Sequence, residues 1–269
     1  MTGISLLGIP HDENSSYLRS AAEAPALIRR ELQSDAHSSW SETGFDLTDR
    51  FVEHGDIDFA GAGDPWERIE NEVGHALDAG HPLISLGGDH AIAWPVLRAV
   101  RRRHPSLTIV QIDAHPDIYP AYQDNLRSHT SSFARIMEER LADRLIQIGL
   151  RTLNDQLRDQ LERFGVEVIE ARHVSEGLRL NLKTPVYISV DLDGLDPAFA
   201  PGVSHREPGG LSTRQVISLI QGIDQRIVAA DVVEYNSSQD VSNLTALVAA
   251  KLVKEIAGMM LKTKGATAG

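Results

Sequence analysis

Short apolar runs recur along the chain and alternate with stretches in which apolar residues return every three or four positions. The runs predict strands near 4–9, 51–54, 83–86, 107–112, 144–149, 166–169, 185–190 and 227–232, with helices between them. Near-continuous apolar strands separated by helical segments are the pattern of a mostly parallel sheet covered on both faces. The expected fold class is therefore α/β, with a sheet of about eight strands. The last helix is the clearest. Val241, Leu244, Leu247, Val248, Leu252, Ile256, Met259 and Met260 fall on one stripe, and Lys251, Lys254 and Glu255 are expected on the opposite face. The methionines read as core filling or an oligomer contact rather than a cofactor box.

Three of the predicted strands end in chemistry. Leu107–Ile112 runs into Asp113, His115 and Asp117; Pro185–Val190 runs into Asp191 and Asp193; Pro82–Leu86 runs into Gly87-Gly88-Asp89-His90. On extended backbone, residues two apart point to one side, so Asp113, His115 and Asp117 can aim at a single point. One such cluster alone reads as a solvated turn. Three at corresponding strand ends lie where parallel α/β sheets hold their ligands. Four converging carboxylates repel one another, whereas two divalent cations balance their charge.

The donor set also narrows the metal. Aspartate oxygens outnumber imidazoles, and the chain has no cysteine, which excludes thiolate ligands, thiolate catalysis and a disulfide framework. Such a set suits Mn²⁺ and related ions, two of them about 3.5–4 Å apart with a hydroxide between them, which points to hydrolysis.

Composition adds limits. With 269 residues and 42% hydrophobic content, the chain can bury a large core, and no linker, repeat or low-complexity tract divides it, so one catalytic domain over 1–269 is expected. A net charge of −12 argues against a nucleic-acid partner. Arg101, Arg102 and Arg103 read as a solvated helix C-terminal turn favoured by the macrodipole. The first apolar run, Ile4–Ile9, is too short for a membrane span and lacks a basic leader, so no membrane partner and a cytoplasmic location are expected.

Taken together, Gly87–His90, Asp113–Asp117, Ser189–Pro197 and Asp231–Asn236 resemble, in order, the motifs of the ureohydrolases, which include arginase and agmatinase. Asn14–Ser16, Asp117–Tyr119, Ser128–His129 with Ser131–Glu138, Gly202–Leu211 and Val248–Val253 look closest to plant-type arginases. Asn236-Ser237-Ser238 departs from the family's usual Asn-Pro, and Ala91 stands where serine is common.

The resemblance implies a three-layer α/β/α fold and a binuclear manganese site. His90 and Asp117 are then expected to ligate one ion, His115 and Asp193 the other, and Asp113 and Asp191 to bridge both. It further implies that Asp117 passes a proton to the leaving nitrogen, that His129 is a proton shuttle, and that Glu234 binds the guanidinium. Asn125 and Asn154 are expected to handle the far end of the substrate. Asp89 reads as a helix cap, Asp231 as structural, Asp196-Pro197 as a turn ordering the loop after Asp193, and His205 as a surface-loop histidine, with a place at the substrate entrance as the alternative. His11 is left without a role.

The expected activity is release of urea from a guanidino substrate, foremost L-arginine, by a homo-oligomer, trimeric or hexameric. Agmatine and guanidino acids remain alternative substrates. Two other classes stay open: a non-catalytic homologue that binds metal and ligand, and a deacetylase-like hydrolase with a single zinc, which the acidic clusters fit poorly.

Overall fold

The computed structural model describes residues 3–265. All eight runs are strands: β1 (Ile4–Gly8), β2 (Phe51–Asp56), β3 (Leu83–Leu86), β4 (Thr108–Ile112), β5 (Arg144–Ile148), β6 (Glu167–Ile169), β7 (Val186–Asp191) and β8 (Ile227–Val233). The helices are α1 (Ala24–Leu32), α2 (Pro65–Asp78), α3 (Ala93–Arg103), α4 (Ser132–Glu138), α5 (Asp155–Phe164), α6 (Thr213–Gln221) and α7 (Leu244–Gly265). The strands form one sheet in the order β2-β1-β3-β8-β7-β4-β5-β6, and every pairing is parallel. Among the described residues no helix is long and apolar enough to cross a membrane.

The period of two along each strand sorts side chains between two helical layers. Val186, Ile188 and Val190 of β7 join a core with Ile28 of α1, Ile220 of α6 and Ile256 of α7. Tyr187 points the other way, into a core with Ile69 of α2, Val96 of α3, Phe133 of α4 and Leu161 of α5. Three layers result, as the motif resemblance implies. The four central strands, β3, β8, β7 and β4, are neighbours, so their carboxyl ends open onto one spot. That adjacency positions the site.

Two surface expectations need correction. Lys254 and Glu255 are buried, because the segment around Ser38–Glu42 and α6 cover the face of α7 that periodicity assigns to them. Lys254 Nζ donates to the Ser38 carbonyl at 3.1 Å. Glu255 accepts from Glu42 N at 2.9 Å, from Lys251 Nζ at 2.6 Å and from Gln221 Nε2 at 2.9 Å. Val241 precedes α7 and is exposed rather than part of its stripe. The arginine triplet is paired as well as solvated: Arg101 with Asp143 at 2.8 Å, Arg102 with Glu70 and Arg103 with Asp78.

Removing a buried acceptor that serves three donors leaves those donors unpaired, so Glu255→Ala is expected to cost about 2–3 kcal/mol. Lys262→Ala, at an exposed position of the same helix, is expected to change stability by less than about 0.5 kcal/mol. Urea unfolding midpoints measure both.

Candidate metal centre and its cavity

Gly88 lets the turn after β3 reach the site. A Cβ there would lie 1.9 Å from the His11 carbonyl oxygen, so only glycine permits this approach. The next residue, Asp89, caps the turn before α3, accepting from Ala91 N at 3.0 Å and from Asn14 N at 2.8 Å. His90 follows, fully buried.

The His90 Nδ1 atom lies 3.2, 3.0 and 3.2 Å from Oδ2 of Asp113, Asp117 and Asp191. Behind the ring, Nε2 is 2.8 Å from Ser189 Oγ. That hydroxyl donates to Asp231 Oδ1 at 2.6 Å, and the Tyr187 hydroxyl donates to the other oxygen of Asp231. Ser189 has one proton and gives it to Asp231, so it accepts from His90 Nε2–H, and in the neutral ring Nδ1 is the nitrogen with the lone pair. Nδ1 is buried with no hydrogen-bond partner. A lone pair and three carboxylates aimed at one point form a cation site. Asp231 is thus more than ordinary strand filling: it fixes the serine that orients a candidate ligand.

A second donor set joins the first. His115 Nδ1 lies 3.0 Å from Asp193 Oδ2 and 3.8 Å from Asp113 Oδ1. The structure groups His90, Asp113, Asp117 and Asp191 around one point and Asp113, His115 and Asp193 around another, with donor atoms in each group within 4.8 Å of one another. Asp113 is common to both groups; Asp191 falls in the first alone, so the geometry brings one of the two expected bridging carboxylates between the sets.

The two ligand loops interlock. Asp113 accepts from His115 N at 2.6 Å, Asp193 from Ala114 N at 3.1 Å, and Asp191 from Asp193 N at 2.8 Å. Arg151 clasps both, its backbone N donating to the Ala114 carbonyl at 3.1 Å and its guanidinium to the Gly194 carbonyl at 3.0 Å. Asp196 orders the following loop by accepting from Ala198 N at 2.9 Å and Gly209 N at 2.7 Å.

Charge crowding shows in the titration of these groups. Burial, then the Asp193 and Asp117 carboxylates, push Asp113 up to about 7, and burial with the same kind of neighbours pushes Asp191 well above the carboxylate range. Burial lowers the pKa of His115, but the Asp193 carboxylate outweighs it and raises the imidazole to about 11. Carboxylates crowded in this way call for positive charge among them, and the residues present fit two divalent ions.

Glu234 follows β8 and is buried beside this centre. Its Oε1 accepts from His90 N at 2.9 Å and pairs with His129 Nδ1 at 2.8 Å. The Ser16 backbone N–H, 3.1 Å from His129 Nε2, can only donate, so the proton of the neutral ring sits on Nδ1 and faces Glu234. The Ser16 hydroxyl, 2.8 Å from Nε2, is placed to accept when the ring is charged. Burial lowers the pKa of His129, but the Glu234 carboxylate overrides it and raises it to about 9. Both Asp117 and Glu234 adopt left-handed backbone, with φ of +47° and +64°. Each non-glycine residue held there costs about 1–3 kcal/mol, strain that concentrates at functional sites.

A cavity of about 210 Å³ opens onto Asp117 and His129 and is also lined by His115, Asn154, His205 and Glu207. His205 corrects the surface reading: it is half-buried, with its ring 5.4 Å from that of His129 and 5.9 Å from that of His115. Asn154 lines the cavity but caps α5, accepting from Leu157 N at 2.9 Å and donating to the Tyr119 hydroxyl at 2.7 Å. Asn125 does not line it; its side chain accepts from Arg127 N at 2.9 Å and reaches Asn14 at 3.3 Å. His11 is buried against Phe59 and Trp66, away from the lining. Sequence reading left Ser189, Tyr187, Ser16 and Glu207 without roles, although the parity of Ser189 with Asp191 on β7 marks it as facing the same side.

The arginase family pattern matches residues 2–258 of the chain. Arginase 1, mitochondrial, of Arabidopsis thaliana is 44% identical over 96% of this chain and 81% of its own length. Agmatinase of Bacillus anthracis is 28% identical over 94% of this chain and 90% of its own. The solved arginase from Medicago truncatula superposes with a TM-score of 0.91 at 40% identity, covering 96% of this chain and 87% of that one.

Titration of metal-stripped protein with Mn²⁺ as a probe tests the centre. The His115 imidazole, raised to about 11, must lose its proton before Nδ1 can ligate, so apparent affinity is expected to fall about tenfold per pH unit for each proton displaced as pH drops. Ser189→Ala removes the support of His90 and is expected to weaken binding about 10- to 100-fold. Unchanged affinity in that variant would detach Ser189 from the site.

Proposed function

The chain belongs to the arginase family, and we propose that it hydrolyses the guanidinium group of L-arginine to urea and L-ornithine. The observation that carries this reading is the pair of donor sets sharing Asp113, with the Glu234–His129 pair beside them and His115, Asp117 and His129 lining one cavity. Relatives named as arginases, 44% identical across nearly the whole chain, support the substrate.

Manganese is the proposed metal, two ions per chain, because four carboxylates, two imidazoles and no thiolate suit a hard or borderline cation. His90, Asp117 and Asp191 would hold one, His115 and Asp193 the other, with Asp113 between them. When bound, such ions ionise water near neutral pH and so supply the hydroxide for attack on the guanidinium carbon.

The protein's own groups do the rest. Glu234 Oε1 is committed to His90 N and His129, and Oε2 has no protein hydrogen-bond partner among the described residues. That free oxygen accepts from a guanidinium N–H and turns the planar group for attack. Asp117 would take the proton from the attacking hydroxide's oxygen once that oxygen has bonded to carbon and deliver it to the departing nitrogen, so that the C–N bond breaks and urea and a neutral amine separate. His129 then protonates that amine from its ring, and the Ser16 hydroxyl accompanies the change in charge at Nε2. Assembly as a trimer or hexamer belongs to the same proposal, supported by the family resemblance alone.

Agmatine is the second reading, favoured by one observation: neither Lys nor Arg lines the cavity to meet a substrate carboxylate. Urea release by manganese-loaded protein from arginine, agmatine and 4-guanidinobutanoate decides between them. Arginine is expected to give the highest kcat/KM; a higher value for agmatine would replace it. Glu234→Gln is expected to keep both ions and lose at least about 100-fold in turnover, as for loss of one preorganised contact. Asp191→Ala is expected to lose metal and activity together, which metal analysis of the purified variant checks.

A further inference from the structure

We propose that Glu207 selects substrates that carry an ammonium group at the end remote from the guanidinium, an inference that rests on the guanidino-hydrolase reading and names its specificity residue. The segment that bears it is fixed at both ends. Gly202 N donates to Thr245 Oγ1 at 2.7 Å and Asn236 N to the Gly202 carbonyl at 2.8 Å. Leu211 N donates to the Gly194 carbonyl at 3.1 Å, and Gly209 N and Gly210 N donate to Asp196 Oδ2 at 2.7 and 3.0 Å. The loop is therefore tied to the loops that carry Asp193 and Glu234, and its geometry is set with those ligands.

Within that segment, Arg206 turns away from the cavity, its guanidinium donating to the Pro201 and Gln239 carbonyls at 2.7 Å each. His205 and Glu207, on either side of it, line the cavity. Glu207 is half-buried and makes no hydrogen bond or ion pair with any described residue. The other acids near the cavity floor have roles already: Asp117 belongs to the first donor set, and Glu234 pairs with His129. A carboxylate without a partner, facing a cavity that no Lys or Arg lines, attracts a cation and repels an anion. The cationic end of the substrate that is not consumed in the reaction meets that requirement, forming a charge-assisted hydrogen bond. Arginine and agmatine both present such an ammonium group; 4-guanidinobutanoate presents only a carboxylate.

The test compares manganese-loaded wild type with Glu207→Gln and Glu207→Lys. In Glu207→Gln the ratio of kcat/KM for arginine over 4-guanidinobutanoate is expected to fall roughly 10- to 100-fold, mostly through KM. Glu207→Lys is expected to lower it further by attracting the carboxylate. A ratio equal in all three proteins would overturn the inference. If wild type releases urea from none of the compounds, the functional reading fails by itself. The role of Glu207 is then judged by calorimetric binding of L-ornithine against 5-aminopentanoate, where an unchanged preference in Glu207→Gln overturns it and a reduced one sustains it.

Discussion

Four buried aspartates cannot crowd two adjoining points as free anions, and the carboxyl ends of β4 and β7 bring them there, with His90 arriving from β3. The repulsion shows in Asp113 and Asp191, whose carboxyl groups are driven above the usual range by burial and then by the Asp193 carboxylate beside both. Positive charge must enter with them, as protons on His90 and His115 or as divalent cations. The sheet keeps the groups together because its central strands are paired over their full length and filled on both faces. Packing energy spent in the layers therefore holds an electrostatically costly arrangement at their edge.

The face of the sheet that looks toward α2 to α5 is where this shows most clearly. Tyr187, Ser189 and Asp231 sit among apolar side chains at two adjacent strands, and each is satisfied by another. A buried aspartate there is destabilising unless its oxygens are served; two hydroxyls serve it. The same accounting orients His90, since the serine proton is already committed. A polar chain inside an apolar layer is thus explained by what it does at its end: it holds the ring so that Nδ1 faces three carboxylates and, in the neutral ring, offers its lone pair there.

How much of this was legible in the sequence depended on the range over which each signal acts. Strands announce themselves by local apolar runs, so the sheet was readable; Asp113, His115 and Asp117 do gather at the centre, but β4 ends before them, Asp117 is left-handed, and His115 joins the second donor set instead of the point that Asp113 and Asp117 share with His90. The burial of Lys254 and Glu255 was not, because the cover comes from Ser38–Glu42, more than two hundred residues earlier in the chain. His205 looked like a surface residue for the same reason: only the fold reveals that its loop lies across His115 and His129. Asn125 and Asn154 show how a side chain's own turn decides its reach: Asn125 lies outside the cavity lining, whereas Asn154 is part of it. Their loops are near the cavity, yet one side chain closes a turn and the other caps α5.

This division separates the two ends of the reaction. The guanidinium end is defined by strand termini, where a change of one position reverses the face and destroys the centre. The remote end is defined by a loop outside the sheet, whose anchors at Gly202 and Leu211 leave His205 and Glu207 as the only cavity-lining residues between them. Substitution at Glu207 alters charge without touching a ligand or a strand. Substrate preference can therefore change while the chemistry stays in place, as expected where one α/β scaffold holds the reacting groups and its loops choose what reaches them.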